Sequence, residues 1–201
     1  MSKIVYVRDE DPNLFTFPPA PCFKKHYDVP FFPDDLLING AWYEEKGIGL
    51  RTGFRKLVPA MVFFKDGTIL GRKKDEGTRL WFGEKIQQED IIRYPTIKKL
   101  AARTFKTERT RTDVPYDLIG YAVYRKGRVR NEALIVYAAT LEKKHMLHGE
   151  IWLSLQDIPK FYFTLDSLSK VIFDAFYEDR ILRNRYFVSQ KQDKTVDNKS
   201  V

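Results

Sequence analysis

One stretch limits the fold more than any other: Leu57-Val58-Pro59-Ala60-Met61-Val62-Phe63-Phe64, then Lys65-Asp66-Gly67-Thr68, then Ile69-Leu70-Gly71-Arg72. A short apolar run closed by a turn signal reads as a strand buried in a sheet. Asp-Gly readily takes the positive φ angles of a tight two-residue turn, so the segment predicts a hairpin returning through Ile69 to Arg72.

The rest of the chain supplies partners for that hairpin. A polar loop over 73–78 leads to Leu80-Trp81-Phe82 and then Gly83. Ile97, Leu100, Ala101 and Phe105 recur at helical spacing behind Pro95 and a capping Thr96, which predicts a helix over 96–110 that ends before Asp113-Val114-Pro115. A second hairpin is expected from 120–124 and 134–139, turning at Lys126-Gly127-Arg128, and a further strand at 149–153. The last helix is expected over 166–183, with Asp166 or Ser167 as cap and Leu168, Val171, Ile172, Ala175 and Phe176 as its apolar stripe. Upstream, Ile4-Val5-Tyr6-Val7 reads as a strand. The prolines 12, 18, 19, 21, 30 and 33 forbid a long helix or central strand, and Leu36-Leu37-Ile38 reads as a short strand into Asn39-Gly40. The expected organisation is a Pro- and Phe-rich arm (1–57) packed on an α/β (α+β) domain (58–188), with a polar, disordered tail (189–201).

Composition bounds the function classes. The 201 residues carry a formal net charge of +8, which favours polyanionic partners such as nucleotides or nucleic acid, although such charge also serves solubility alone. No apolar run approaches the roughly 20 residues of a membrane span, so no membrane partner is expected. The start, MSKIVYVRDEDP, does not read as a signal peptide. Cys22 is the only cysteine, so no intrachain disulfide can form and a cytoplasmic setting is the simplest expectation.

The order of elements and several local sequences resemble the Nudix family. Its pattern is a Gly followed after five residues by Glu, then after seven more by Arg-Glu-apolar-x-Glu-Glu. Here Gly83 is followed after five residues by Glu89, and the helix reads Arg103-Thr104-Phe105-Lys106-Thr107-Glu108. Arg103, Phe105 and Glu108 match; Thr104 and Thr107 stand in place of glutamates. The gap from Glu89 to Arg103 is longer than the pattern's, with an insertion around 91–95. A second register sets Gly83-Glu84-Lys85-Ile86 on the family's Gly-Gly-x-apolar start and puts Asp90 in place of the loop Glu. Both registers stand on the sequence. Gly149-Glu150-Ile151-Trp152-Leu153-Ser154-Leu155-Gln156-Asp157-Ile158-Pro159 is similar to a late Nudix segment, and the resemblance covers residues 58–177.

The resemblance implies a mixed sheet sandwiched by helices and cleavage of a nucleoside diphosphate derivative with Mg²⁺ or Mn²⁺, by metal-assisted attack of water on phosphorus. Positions 104, 107 and 108 are i, i+3 and i+4 on one helix face, where three carboxylates would converge on a hard cation. This chain keeps Glu108, so Glu108 and Glu89 are the candidate catalytic residues and Glu108, Glu89 and Asp90 the candidate metal ligands. Arg72, Arg79, Gly83, Arg103 and Arg125 are the candidate substrate-binding residues; Gly83 is expected to supply loop φ freedom, and Arg103's family role is to position the glutamate helix by ion pairing. A homodimer is compatible with this reading. The alternative is a non-catalytic module that binds RNA or a protein partner through its basic surface.

Each assignment has an ordinary counterpart. Glu108 reads equally as a surface glutamate paired with Arg109 or Lys106, and Glu89-Asp90 as a solvated acidic pair. His145 and His148 lack the further ligands zinc requires, and Cys22 reads as packing. Arg109, Arg111, Arg128 and Arg130 extend the basic run. Trp81, Phe82, Tyr121 and Tyr124 offer stacking faces, although core packing is the plainer reading.

Overall fold

A computed structural model of the chain describes residues 3–8, 10–11, 15–16, 22–28, 32–44, 53–75, 77–108, 114–126, 130–142 and 147–188. The expected tail, the turn at 127–129, and Arg109, Arg111, Arg128 and His145 lie outside them.

The strands are β1 (Lys3–Arg8), β2 (Glu10–Asp11), β3 (Phe15–Thr16), β4 (Cys22–Lys25), β5 (Ala41–Glu44), β6 (Phe54–Lys65), β7 (Thr68–Lys74), β8 (Gly77–Arg79), β9 (Phe82–Gly83), β10 (Tyr116–Lys126), β11 (Arg130–Thr140) and β12 (Glu150–Ser154). Among the described residues, the main sheet runs β12-β7-β6-β11-β10-β4. β1 and β9 also pair with β6, β5 with β1 and β8 with β7. The sheet is mixed, because β11 runs parallel to β6, from Glu132↔Lys56 to Thr140↔Phe64, while the remaining pairs are antiparallel.

β6 explains the two-sided core. Leu57, Met61 and Phe63 enter one apolar cluster, with Ile97, Leu100 and Ala101 of the helix Ile97–Glu108. Val58, Ala60, Val62 and Phe64 enter another, with Leu168, Ile172 and Phe176 of the helix Ser167–Glu178 and Leu182, Tyr186 and Phe187 of the helix Arg180–Phe187. Side chains alternate across a strand, so a continuous apolar run is what a sheet with helices on both faces requires. The predicted hairpin is present: Asp66 and Gly67 take φ of 48° and 70°.

Three expectations are corrected, and one alternative is resolved. Leu36-Leu37-Ile38 lies in a helix, Pro33–Ile38, because Pro33 sits in its first turn with Asp34 and Asp35 and three apolar residues are too few to fix a period. The polar loop over 73–78 instead contains the β7–β8 hairpin, with Lys73↔Thr78 and Lys74↔Gly77 paired. The last helix is two helices, broken at Asp179, whose extended backbone (ψ 114°) lets its carboxylate accept from the Leu182 N–H at 2.9 Å and start the second. Of the two proposed caps for the first, Asp166 serves, accepting from the Ser169 N–H at 2.7 Å.

Described stretches of the first 57 residues take part in the sheet. β1 pairs with β5 and β6, and β4 forms the far edge beside β10.

Candidate functional site

Residues 84–96 join β9 to the helix Ile97–Glu108, and this loop is stitched to the N-terminal strand. The Val5 N–H donates to the Ile86 carbonyl (3.3 Å) and the Gln88 N–H to the Lys3 carbonyl (2.9 Å), while Ile86 is fully buried. Gly83 starts the loop for a steric reason. Its φ is not in the left-handed region, but a Cβ there would stand 2.3 Å from the Pro59 carbonyl oxygen. Close approach to β6, not φ freedom, demands the glycine.

Arg103 holds the loop to the helix. Its side chain is only 15% exposed, and it meets Asp90 at 2.5 Å, Glu84 at 3.4 Å and the Lys85 carbonyl at 3.4 Å. The second Asp90 carboxylate oxygen accepts from the Gln87 N–H at 2.9 Å. Asp90, the loop acid of the second register, thus meets the helix arginine together with Glu84. Glu89 is exposed at the start of a short inserted helix, Asp90–Arg93. The motif helix is capped twice. The Thr96 hydroxyl accepts from the Lys99 N–H at 3.2 Å, and the Asp34 carboxylate accepts from the Ile97 N–H at 2.7 Å. Asp34 escaped the sequence reading because its contact spans 63 residues; the Pro-Asp-Asp start of its own helix was the available signal. Thr104 is buried at 7% exposure. Glu108 is the helix's last residue, and its side chain and that of Thr107 lie outside what is described.

Arg72 and Arg79 do not gather at this loop. Arg72 and Arg79 are cross-strand partners, yet each is engaged elsewhere. Arg72 pairs with Glu150 at 2.8 Å and lies over the Phe82 ring at 4.9 Å. The Glu150 side chain is 0% exposed, and its other oxygen accepts from the Leu147 N–H at 2.8 Å. Arg79 pairs with Asp166 at 3.2 Å and lies over Trp81 at 4.3 Å. The backbone of Arg125 lies near the end of β10, in register with Asn131, and its side chain lies outside what is described. Trp81, Phe82 and Tyr121 are core residues, each 5% exposed or less.

No family model and no curated protein matches the sequence. Among solved structures, Tm1382, a candidate Nudix hydrolase, superposes with a TM-score of 0.59 over 88% of this chain and 98% of its own, at 18% identity. This chain has the Nudix fold. An E. coli protein, ORF135 (TM-score 0.41, 16% identity, 62% of this chain and 91% of that one), and C. elegans Ap4A hydrolase (0.37, 16%, 61% and 98%) are also similar, but the fold assignment rests on Tm1382 alone.

The Nudix pattern would place three carboxylates at 104, 107 and 108, and two of those positions are threonines. Thr104 is shut from solvent, both Asp90 oxygens are taken by Arg103 and the Gln87 amide, and both Glu150 oxygens are taken by Arg72 and the Leu147 amide. Among the described residues no three His, Cys, Asp or Glu come together as a metal site. A hard divalent cation wants several oxygen ligands, preferably charged, and these donors do not fit one. Among the described residues no helix is long and apolar enough to cross a membrane.

Proposed function

We propose that this Nudix-fold protein binds a nucleotide or a nucleoside-diphosphate derivative, and that its motif helix is a scaffold rather than a metal centre. The observation that carries the reading is the Asp90–Arg103 pair, which commits the loop acid to holding the loop. A loop so fixed still presents backbone and basic side chains to phosphate, and a net charge of +8 favours such ligands. Arg125 is the proposed phosphate contact on the strand side. Arg72 is not assigned that role, since leaving Glu150 would strand a fully buried carboxylate. Hydrolysis would call on Glu108 and Glu89 with Mg²⁺ or Mn²⁺. The same charge supports a second reading, an RNA-binding module, whose affinity would fall steeply with salt as counterions are released. The single cysteine fits a reducing cytoplasmic setting.

The test is thermal unfolding across nucleoside-diphosphate derivatives, with and without Mg²⁺ or Mn²⁺, with phosphate release assayed in parallel. A bound ligand at 100 times its dissociation constant stabilises by about 2.7 kcal/mol. Metal-independent stabilisation without turnover supports the proposal. Metal-dependent turnover lost in Glu108→Gln overturns the scaffold reading in favour of a divergent hydrolase. No shift with any member of the panel overturns ligand binding of this class.

A further inference from the structure

On the motif-helix face of the sheet, a cavity of about 260 Å³ lies between the helices Pro33–Ile38 and Ile97–Glu108 and the paired strands β10 and β11. Asp34 comes from the first helix, Lys98 from the second, Tyr116 and Leu118 from β10, and Tyr137, the register partner of Leu118, from β11. The volume falls just below the roughly 300–1,000 Å³ of sites for drug-sized ligands, so it suits a single small ring. Arg125 lies at the far end of β10 from Tyr116, roughly 30 Å along an extended strand, so the cavity stands apart from the proposed phosphate contact.

Tyr137 is the group that points to a ligand. The residue is 3% exposed, and its ring meets the Tyr116 ring edge-on with centroids 5.8 Å apart. Its hydroxyl has no hydrogen-bond partner among the described residues, and unlike the Tyr186 hydroxyl it is not sealed from solvent. Burial pushes the phenol well above its ordinary value, and the nearby Asp34 carboxylate adds to the rise. At neutral pH the group is therefore a protonated donor, and a buried donor that lacks an acceptor is one that a ligand can complete.

The charges in the lining say what kind of ligand fits. The Lys98 ammonium stands 5.3 Å from the Tyr116 ring centroid, with no ion pair among the described residues. One Asp34 oxygen accepts from the Ile97 N–H at 2.7 Å, and the other takes no hydrogen bond among the described residues. Asp117 also lines the cavity, but it is more than half exposed and pairs with Arg185. An anion here would meet Asp34 and a cation would meet Lys98, each at a Coulombic cost. A neutral group with an acceptor beside a donor meets neither obstacle and supplies what Tyr137 and Asp34 lack. Pro33 and Leu118 add apolar contact.

We propose that this cavity binds a small neutral ring with an amide edge, the chemistry of a pyrimidine base or a pyridone. The ring's carbonyl accepts from the Tyr137 hydroxyl, its N–H donates to Asp34, and its faces rest against Pro33 and Leu118. The site needs no phosphate, so it and the proposed nucleotide site can each fail without the other.

The test titrates the full chain with uracil, following backbone amide resonances, beside benzoate and benzylamine as an anionic and a cationic ring of similar size. Saturable shifts at Lys98, Tyr116 and Leu118 are expected, with uracil bound more tightly than either charged ring. Tyr137→Phe should be as stable as the parent or more so, because it removes an unpaired buried hydroxyl, and should weaken uracil binding about three- to tenfold, the loss of one hydrogen bond. Lys98→Met should strengthen benzylamine binding relative to uracil. No saturable shift with uracil, shifts confined to residues 84–90, unchanged uracil affinity in Tyr137→Phe, or a charged ring bound more tightly than uracil by the parent would each overturn the proposal.

Discussion

The Asp90–Arg103 pair can be weighed against an internal control. Arg185–Asp117 has the same N–O separation, 2.5 Å, but its side chains are 56% and 54% exposed, against 15% and 20% for Arg103 and Asp90. Coulomb energy scales inversely with the effective dielectric constant, so the two pairs differ in environment and not in distance. Exposed pairs are worth about 0–1 kcal/mol, and removing one partner of a fully buried pair costs about 3–5 kcal/mol. Arg103 and Asp90 lie between, nearer the buried case, which gives a coupling of about 1–3 kcal/mol. The experiment is a double-mutant cycle in urea for Asp90→Asn with Arg103→Met, beside one for Asp117→Asn with Arg185→Met. The cycle isolates the pair from Arg103's other bonds, to Glu84 and the Lys85 carbonyl. Half-molar salt should erase the coupling of the exposed pair and leave most of the other. Equal couplings, or equal loss in salt, would refute the argument that burial makes this pair the clamp of the motif loop.

Other substitutions should respond as follows. Gly83→Ala should cost about 2–3 kcal/mol by chemical denaturation, because the new methyl meets the Pro59 carbonyl oxygen at 2.3 Å, whereas Gly53→Ala, with φ of 87° and nothing within 4 Å, should cost only the backbone strain of about 1–2 kcal/mol. Thr104→Glu should destabilise by several kcal/mol by burying an unpaired carboxylate; a neutral result would mean the position opens to solvent and would revive it as a ligand site. Burial alone would raise Asp179, but Lys25 at 2.8 Å, Tyr27 and the Leu182 amide outweigh it and bring its carboxyl down to about 2. A carboxylate depressed on folding contributes stability above its unfolded pKa and loses it as pH falls toward 2. Urea midpoints should therefore drop between about pH 5 and 2 by the equivalent of roughly 1–2 kcal/mol, and Asp179→Asn should flatten that slope.

What the sequence disclosed follows the range of the forces involved. The Asp66-Gly67 hairpin, the buried strand β6 and a cap at Asp166 or Ser167 depend on neighbouring residues, and all three are in the structure, the cap at Asp166. The helix Pro33–Ile38 was misread because three apolar residues fit strand and helix alike, and the break at Asp179 was missed because the apolar pattern runs through it. The site was half legible. Gly83 was the right residue with the wrong cause, since the cause is a backbone on another strand. Asp90 belongs to one of two registers in the sequence, and its contact with Arg103 is visible only in the structure. Asp34 and Glu150 act on residues far away in the chain, at Ile97 and Arg72, and a linear pattern cannot show them.

Where the chain keeps the Nudix pattern and where it departs divides by physical role. Gly83 admits the loop past β6 and Arg103 binds the loop to the helix; both tasks shape the backbone and remain whatever ligand is present. Positions 104 and 107 shape nothing in the pattern beyond a cluster of negative charge, and there the chain has threonine. A buried threonine beside an apolar core is tolerated where a buried carboxylate without a cation is not, so Thr104 is the residue a scaffold helix would hold at that place. The N-terminal segment fits the same division. β1 accepts and donates hydrogen bonds to the motif loop, and Asp34 caps the motif helix, so the loop's shape is fixed from outside the region that resembles the family. A centre that relied on a metal to order its loop would have less use for those ties. Their presence, together with the two threonines, is what supports the proposed binding without metal chemistry.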